Sequence, residues 1–137
     1  MYKFSKKSLE KLDTCCEDLQ KVMNEAIKHI DIVILYGYRT PAEQFELFKQ
    51  GRTLVGKEWK VTGKTVTQLD GKTKMSNHNS NPSKAIDIAP YPIDWNNIQR
   101  FLDMAKVVKE AAKTVGVEIT YGGDWKKFPD FPHFQVD

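Results

Sequence analysis

The chain has 137 residues, enough for one hydrophobic core, and 40% hydrophobic with 28% charged residues is ordinary globular composition. Lys and Arg number 21 against 18 Asp and Glu, a net charge of +3 that eases approach to anionic surfaces without selecting a wall, a membrane or a nucleic acid. The adjacent Cys15 and Cys16 cannot bridge without strain and are read as free thiols, Cys16 partly buried, which excludes a disulfide framework and a paired-cysteine zinc site.

Leu9, Leu12, Cys16, Leu19, Met23 and Ala26 recur at three- and four-residue steps, predicting one helix from about residue 5 or 8 to 29. The β-rich run 30–36 predicts a buried strand that Gly37 ends. Thr40 caps a helix starting at Pro41, with Glu43 in its first turn and Gly51 as its stop. Residues 52–75 are polar and glycine-punctuated, with a short hairpin expected over 61–69. A strand over 84–89 carries Asp87, and Pro90-Tyr91-Pro92 stops it. Asn96 or Asn97 caps a long helix to about Val115, which Gly116 ends, and short strands follow at 117–121 and 133–136. With no regular βαβ repeat, the expected class is α+β: one domain over 1–137, with a small, mainly antiparallel sheet and helices packed on one face.

The chemistry-bearing residues lie around the last strands. His78, Asp87 and His133 offer two imidazoles and a carboxylate, a set that holds zinc and leaves a fourth position for water. Mixed nitrogen and oxygen donors suit zinc better than calcium or magnesium. Asp130, three residues before His133, is placed to take a proton from that water. The plain alternative for each is a surface or hydrogen-bonded histidine and a solvent-facing Asp on a strand.

Ser76-x-His78, Ala85-x-Asp87 and Asp130-x-x-His133 resemble the signature of the M15 family of zinc D,L-peptidases, most closely the bacteriophage L-alanyl-D-glutamate endopeptidase endolysins. Gly37-Tyr38-Arg39-Thr40, Gln44, Leu47, Gly51-Arg52-Thr53, Ala89-Pro90-Tyr91, Gly122-Gly123-Asp124-Trp125 and Pro132-His133-Phe134-Gln135 resemble further family blocks in family order. The likeness covers roughly residues 30–137. One departure stands out: Ser83 occupies the place of a family glycine, and two additional residues lengthen the loop between His78 and Asp87, where Pro82 can stiffen the path.

The resemblance implies a hedgehog/DD-peptidase-like fold and a zinc ion held by His78, Asp87 and His133. It further implies hydrolysis of the L-Ala–D-Glu bond of the peptidoglycan stem peptide. It assigns Asp130 as base, the other reading being that Asp130 only orients His133. It makes Arg39 the cation that polarises the scissile carbonyl, where position alone allows a surface arginine. Ser76 would bond substrate, Gln44 and Asp124 would support the site, and Tyr38, Tyr91 and Trp125 would wall it unless they belong to the core. Two other activities stay open: a D-alanyl-D-alanine carboxypeptidase or dipeptidase, and a metal-stabilised wall-binding module without turnover. No nucleic-acid partner or stable membrane association is expected, and the chain is expected to be a monomer. With no apolar signal core near the N-terminus, synthesis in the bacterial cytoplasm and action on the wall after release are expected.

Overall fold

Alternating apolar positions, Ile32 and Ile34 on one strand and Ile86 and Ile88 on another, decide which face of the sheet is buried. The computed structural model describes residues 2–137. It runs α1 (Lys6–Leu12), α2 (Glu17–Ala26), β1 (Ile32–Tyr36), α3 (Pro41–Lys49), β2 (Arg52–Val55), β3 (Glu58–Val61), β4 (Ala85–Pro90), α4 (Ile98–Val115), β5 (Thr120–Tyr121) and β6 (His133–Gln135). One sheet has the order β1-β4-β6-β5 with every pairing antiparallel, and β2 and β3 form a separate hairpin. The expected α+β class, with an antiparallel sheet, is what the structure has.

The core lies between the Ile32, Ile34, Ile86, Ile88 and Phe134 face and the apolar stripes of α1, α2 and α4. Leu12, Leu19, Val22, Met23, Phe101, Met104 and Val108 fill it. Asn97 caps α4 by accepting from Arg100 N, and Gly116 ends the helix with φ +74, as the sequence suggested. Thr40 and Glu43 form a complete capping box on α3. This helix stands apart from the main core, its Phe45 stacked on Phe48 and edge-on to Trp59 of the hairpin.

Three expectations are corrected. The first helix is two: the chain turns out of α1 at Asp13, and α2 restarts after Cys16. The heptad-like stripe continues across the break because both helices face the same core, so periodicity could not reveal it. The break is filled by tertiary bonds, with Ser83 N donating to Thr14 O and Cys16 N to Ser83 O, both at 2.8 Å. The hairpin lies at 52–61 rather than 61–69, turning at Gly56 with φ +64. The strand expected over 117–121 pairs only at Thr120–Tyr121. Of the two cysteines, Cys15 is buried in the core and Cys16 is half-buried.

Candidate metal centre and cleft

Asp87 and His133 are direct partners in the β4–β6 register, so period-two alternation sends both side chains to the face opposite Ile86, Ile88 and Phe134. His78 arrives from a short 3-10 turn, Asn77–Asn79, capped by Ser76, whose Oγ accepts from His78 N at 3.2 Å. His78 Nε2 lies 3.3 Å and His133 Nδ1 3.1 Å from the same atom, Asp87 Oδ1. One donor atom from each of the three residues falls within 4.8 Å of the others, close enough to share one ion.

Hydrogen bonds on the far sides of the rings set their tautomers. His78 Nδ1 is 2.8 Å from the carbonyl of Gly37, which can only accept, so the nitrogen carries the proton. His133 Nε2 is 2.8 Å from Gln135 Oε1, while Gln135 Nε2 donates to Asp137 Oδ1 at 2.9 Å. Both inner nitrogens of the neutral rings are therefore lone pairs aimed at a carboxylate oxygen, an arrangement that calls for a cation between them. Burial opposes charge on Asp87, but the bonds to His133 and His78 and their charges outweigh it and hold the carboxyl well below its usual range. Burial also opposes a proton on His133, yet the hydrogen bond and charge of Asp87 outweigh it and raise its pKa above the ordinary value.

Arg39 lies at the floor of the cleft. Its Nη2 is 3.4 Å from Asp87 Oδ2, its Nη1 donates to Gln44 Oε1 at 2.8 Å, and its guanidinium stacks over Tyr36. Its Nε is buried without a hydrogen-bond partner among the described residues. Gln44 is fully buried and donates to Leu69 O at 2.8 Å, tying α3 to the segment that forms one wall of the cleft. Asp130 Oδ2 lies 3.9 Å from His133 Nδ1. Burial and then the nearby charge of Asp87 push the Asp130 carboxyl above its ordinary value, only partly offset by His133, His78 and Arg39.

The cleft above these groups has a volume of about 670 Å³. Ser76, Arg39, Trp125 and Asp130 line it, and the Trp125 ring lies 5.2 Å from that of His133. Several expected residues lie elsewhere. Gln44 is sealed from solvent, so its part is to hold Arg39 and the wall, not substrate. Asp124 pairs with Lys109 Nζ at 2.7 Å and faces a second depression along α4. Tyr91 lies beyond the far end of β4, where its N–H bonds Asp31, and is 60% exposed. Tyr38 is half-buried, with its N–H on Thr14 Oγ1, and is absent from the cleft lining. The aromatic that does serve the site from this stretch is Tyr36. Sequence reading missed Gln135 and the Gly37 carbonyl; the i+2 spacing from His133, which puts Gln135 on the same face of β6, was the available signal.

Gly122 fastens the last segment. Its carbonyl accepts from both Trp125 N, at 3.2 Å, and Asp130 N, at 2.9 Å. A Cβ there would meet Asp130 O at 2.6 Å and His133 Cβ at 2.9 Å, so only glycine lets Asp130 and His133 approach this closely.

Comparison with known proteins agrees with this geometry. The family model for phage L-alanyl-D-glutamate peptidases matches residues 1–135. The peptidoglycan L-alanyl-D-glutamate endopeptidase CwlK of Bacillus subtilis (strain 168) is 38% identical over 116 residues, 81% of this chain, and the chain spans 64% of that protein's length. The L-alanyl-D-glutamate peptidase of Escherichia phage T5 is 29% identical over 138 residues, 95% of this chain and 86% of the phage protein. The crystal structure of the Serratia marcescens L-Ala D-Glu endopeptidase ChiX superposes with a TM-score of 0.74 at 25% identity, covering 98% of this chain and 89% of that one. The chain belongs to the phage L-alanyl-D-glutamate peptidase family.

Proposed function

We propose that this chain is a zinc-dependent peptidoglycan hydrolase that cuts the L-Ala–D-Glu bond of the stem peptide, with residues 1–137 acting as one catalytic domain. The observation that carries it is the convergence of two fixed-tautomer imidazoles and Asp87 Oδ1 at the floor of a cleft. The family and the names of its relatives supply the bond. Zinc held by His78, Asp87 and His133 would supply Lewis-acid activation of a water and of the scissile carbonyl.

The protein's own groups do the rest. Asp130, its carboxylate weakened as an acid by burial, takes the proton of the attacking water on Oδ2 and hands it to the leaving nitrogen of D-Glu. Arg39 holds Asp87 by Oδ2, keeping Oδ1 turned to the histidines, and its fixed charge at the cleft floor favours the negative charge that develops on the carbonyl oxygen. Ser76 fixes the His78 turn and presents its hydroxyl to the cleft. Trp125 covers His133 on one side.

A phage-type lysin, made in the host cytoplasm and acting on the wall after release, fits this reading, and no described helix is long and apolar enough to cross a membrane. The test is digestion of purified peptidoglycan with and without a chelator, followed by identification of the new termini. N-terminal D-Glu that vanishes with chelation and returns with zinc is expected. Released D-Ala would identify a carboxypeptidase instead, and no new terminus would leave a binding module.

A further inference from the structure

We infer that Lys127, on the loop tip beside Asp130, is the specificity residue that receives the free α-carboxylate of the D-glutamate whose nitrogen leaves. The inference rests on the L-Ala–D-Glu reading above. Trp125 and Asp130 bond the same Gly122 carbonyl, so residues 126–129 form a tight tip between two fastened ends. Lys127 and Phe128 of that tip both line the cleft.

Charge accounting singles out Lys127. The cleft lining carries two cationic side chains, Arg39 and Lys127, beside Asp87 and Asp130. Arg39 is committed to Gln44 and Asp87. Among the described residues Lys127 has no ion-pair or hydrogen-bond partner, so of the two cations in the cleft it is the one with its charge uncommitted.

Phe128 gives a second, independent sign that the tip is shaped for contact. It is the sole non-glycine residue with positive φ among those described, at +52, and it is 69% exposed. A bulky aromatic held in a strained conformation and left in water is costly on both counts, and such strain concentrates at ligand-contacting positions. Val66 and Met75, also exposed, add further apolar surface to the cleft lining.

Substrate chemistry fixes what this tip meets. Asp130 delivers its proton to the amide nitrogen of D-glutamate, so that nitrogen lies beside residue 130. In a γ-linked glutamate the α-carboxylate is two bonds from the nitrogen, about 2.5 Å away by standard bond lengths. Lys127, three residues before Asp130 and lining the same cleft, is the uncommitted cation on that side of the site. Phe128 covers the two side-chain methylenes that lead to the γ-linkage. Walls whose glutamate is amidated at this position present a neutral carboxamide, which a lysine recognises less well.

The test compares two synthetic muramyl stem peptides, one with D-isoglutamate and one with D-isoglutamine. The zinc-loaded wild type is expected to favour the carboxylate form about tenfold in kcat/KM, the size of one modest charged hydrogen bond. Lys127→Met should bring that ratio to about one, Lys127→Arg should keep it, and Lys126→Met, altering the neighbour outside the cleft, should keep it too. A ratio unchanged in Lys127→Met overturns the inference while leaving the peptidase reading intact. Cleavage of neither peptide by wild type overturns the peptidase reading and this inference with it. Phe128→Gly separates strain from contact: KM for both peptides should rise while the melting temperature holds or rises. A fall in melting temperature with KM unmoved would make Phe128 a structural residue and remove it from the subsite.

Discussion

His133 turns one nitrogen to Asp87 and the other to Gln135, so the glutamine two residues along the same strand decides which nitrogen is free to bind a metal. Removing that acceptor lets the ring rotate or change tautomer. Gln135→Leu is expected to weaken zinc binding about 10- to 100-fold, the usual effect of an orienting partner. Gln135→Glu, which keeps an acceptor, should retain most of it. Competition with a chromophoric chelator measures both.

Asp130 is close enough to the centre to move a proton but is not one of the three converging donors. Asp130→Ala should lower kcat by about 10²- to 10⁴-fold with one zinc still bound per chain, as read by metal analysis of the variant. Loss of metal together with activity would mean that the residue orients His133 and does not carry the proton.

Gly37 joins the break between the first two helices to the metal centre. A Cβ there would lie 2.2 Å from Thr14 Oγ1 and 2.4 Å from Lys11 O, and its carbonyl is the partner of His78 Nδ1. Gly37→Ala should cost about 1–3 kcal/mol of stability, as overpacking does, and should weaken metal binding although no ligand is changed. Denaturant melts with and without zinc would show both losses; a variant with unchanged melts would show that the turn relaxes freely.

Burial, and secondarily the neighbouring Cys16, push the Cys15 thiol up to about 12, and burial pushes the Tyr121 hydroxyl up to about 12. Both folded-state values lie above the ordinary ones of 9.0 and 10.0, so the stability these groups contribute is complete below about pH 9. It declines as pH rises from there towards 12. Urea midpoints should therefore fall across this window, and less steeply in Cys15→Ala. In the native chain at neutral pH a thiol reagent should modify Cys16 alone, and both cysteines after unfolding.

Much of this molecule could be read from its residues because the signals were local. The Thr40–Glu43 capping box, the Asn97 cap, the Gly116 stop and the strand bearing Asp87 depend on neighbours a few positions away. The meeting of His78, Asp87 and His133 is not local, and it was legible only because the family blocks preserve their order. What escaped was set by distant parts of the chain. The break after Leu12 exists because Ser83, in the place of a family glycine, pairs with the backbone of residues 14–16 while its hydroxyl bonds Ala85 O at 2.7 Å. Gln44 was expected to support the site, but not from inside, where its amide is spent between Arg39 and Leu69. Tyr91 and Tyr38 share blocks with site residues, but strand direction carries the first away and the Thr14 contact turns the second aside.

Because one backbone oxygen on Gly122 anchors both ends of the 126–129 tip, any shift of that oxygen moves Trp125 and Asp130 together. Exchanges within the tip leave both anchoring N–H groups in place, so this short stretch is where the rim of the cleft can be varied while its two attachment points stay the same.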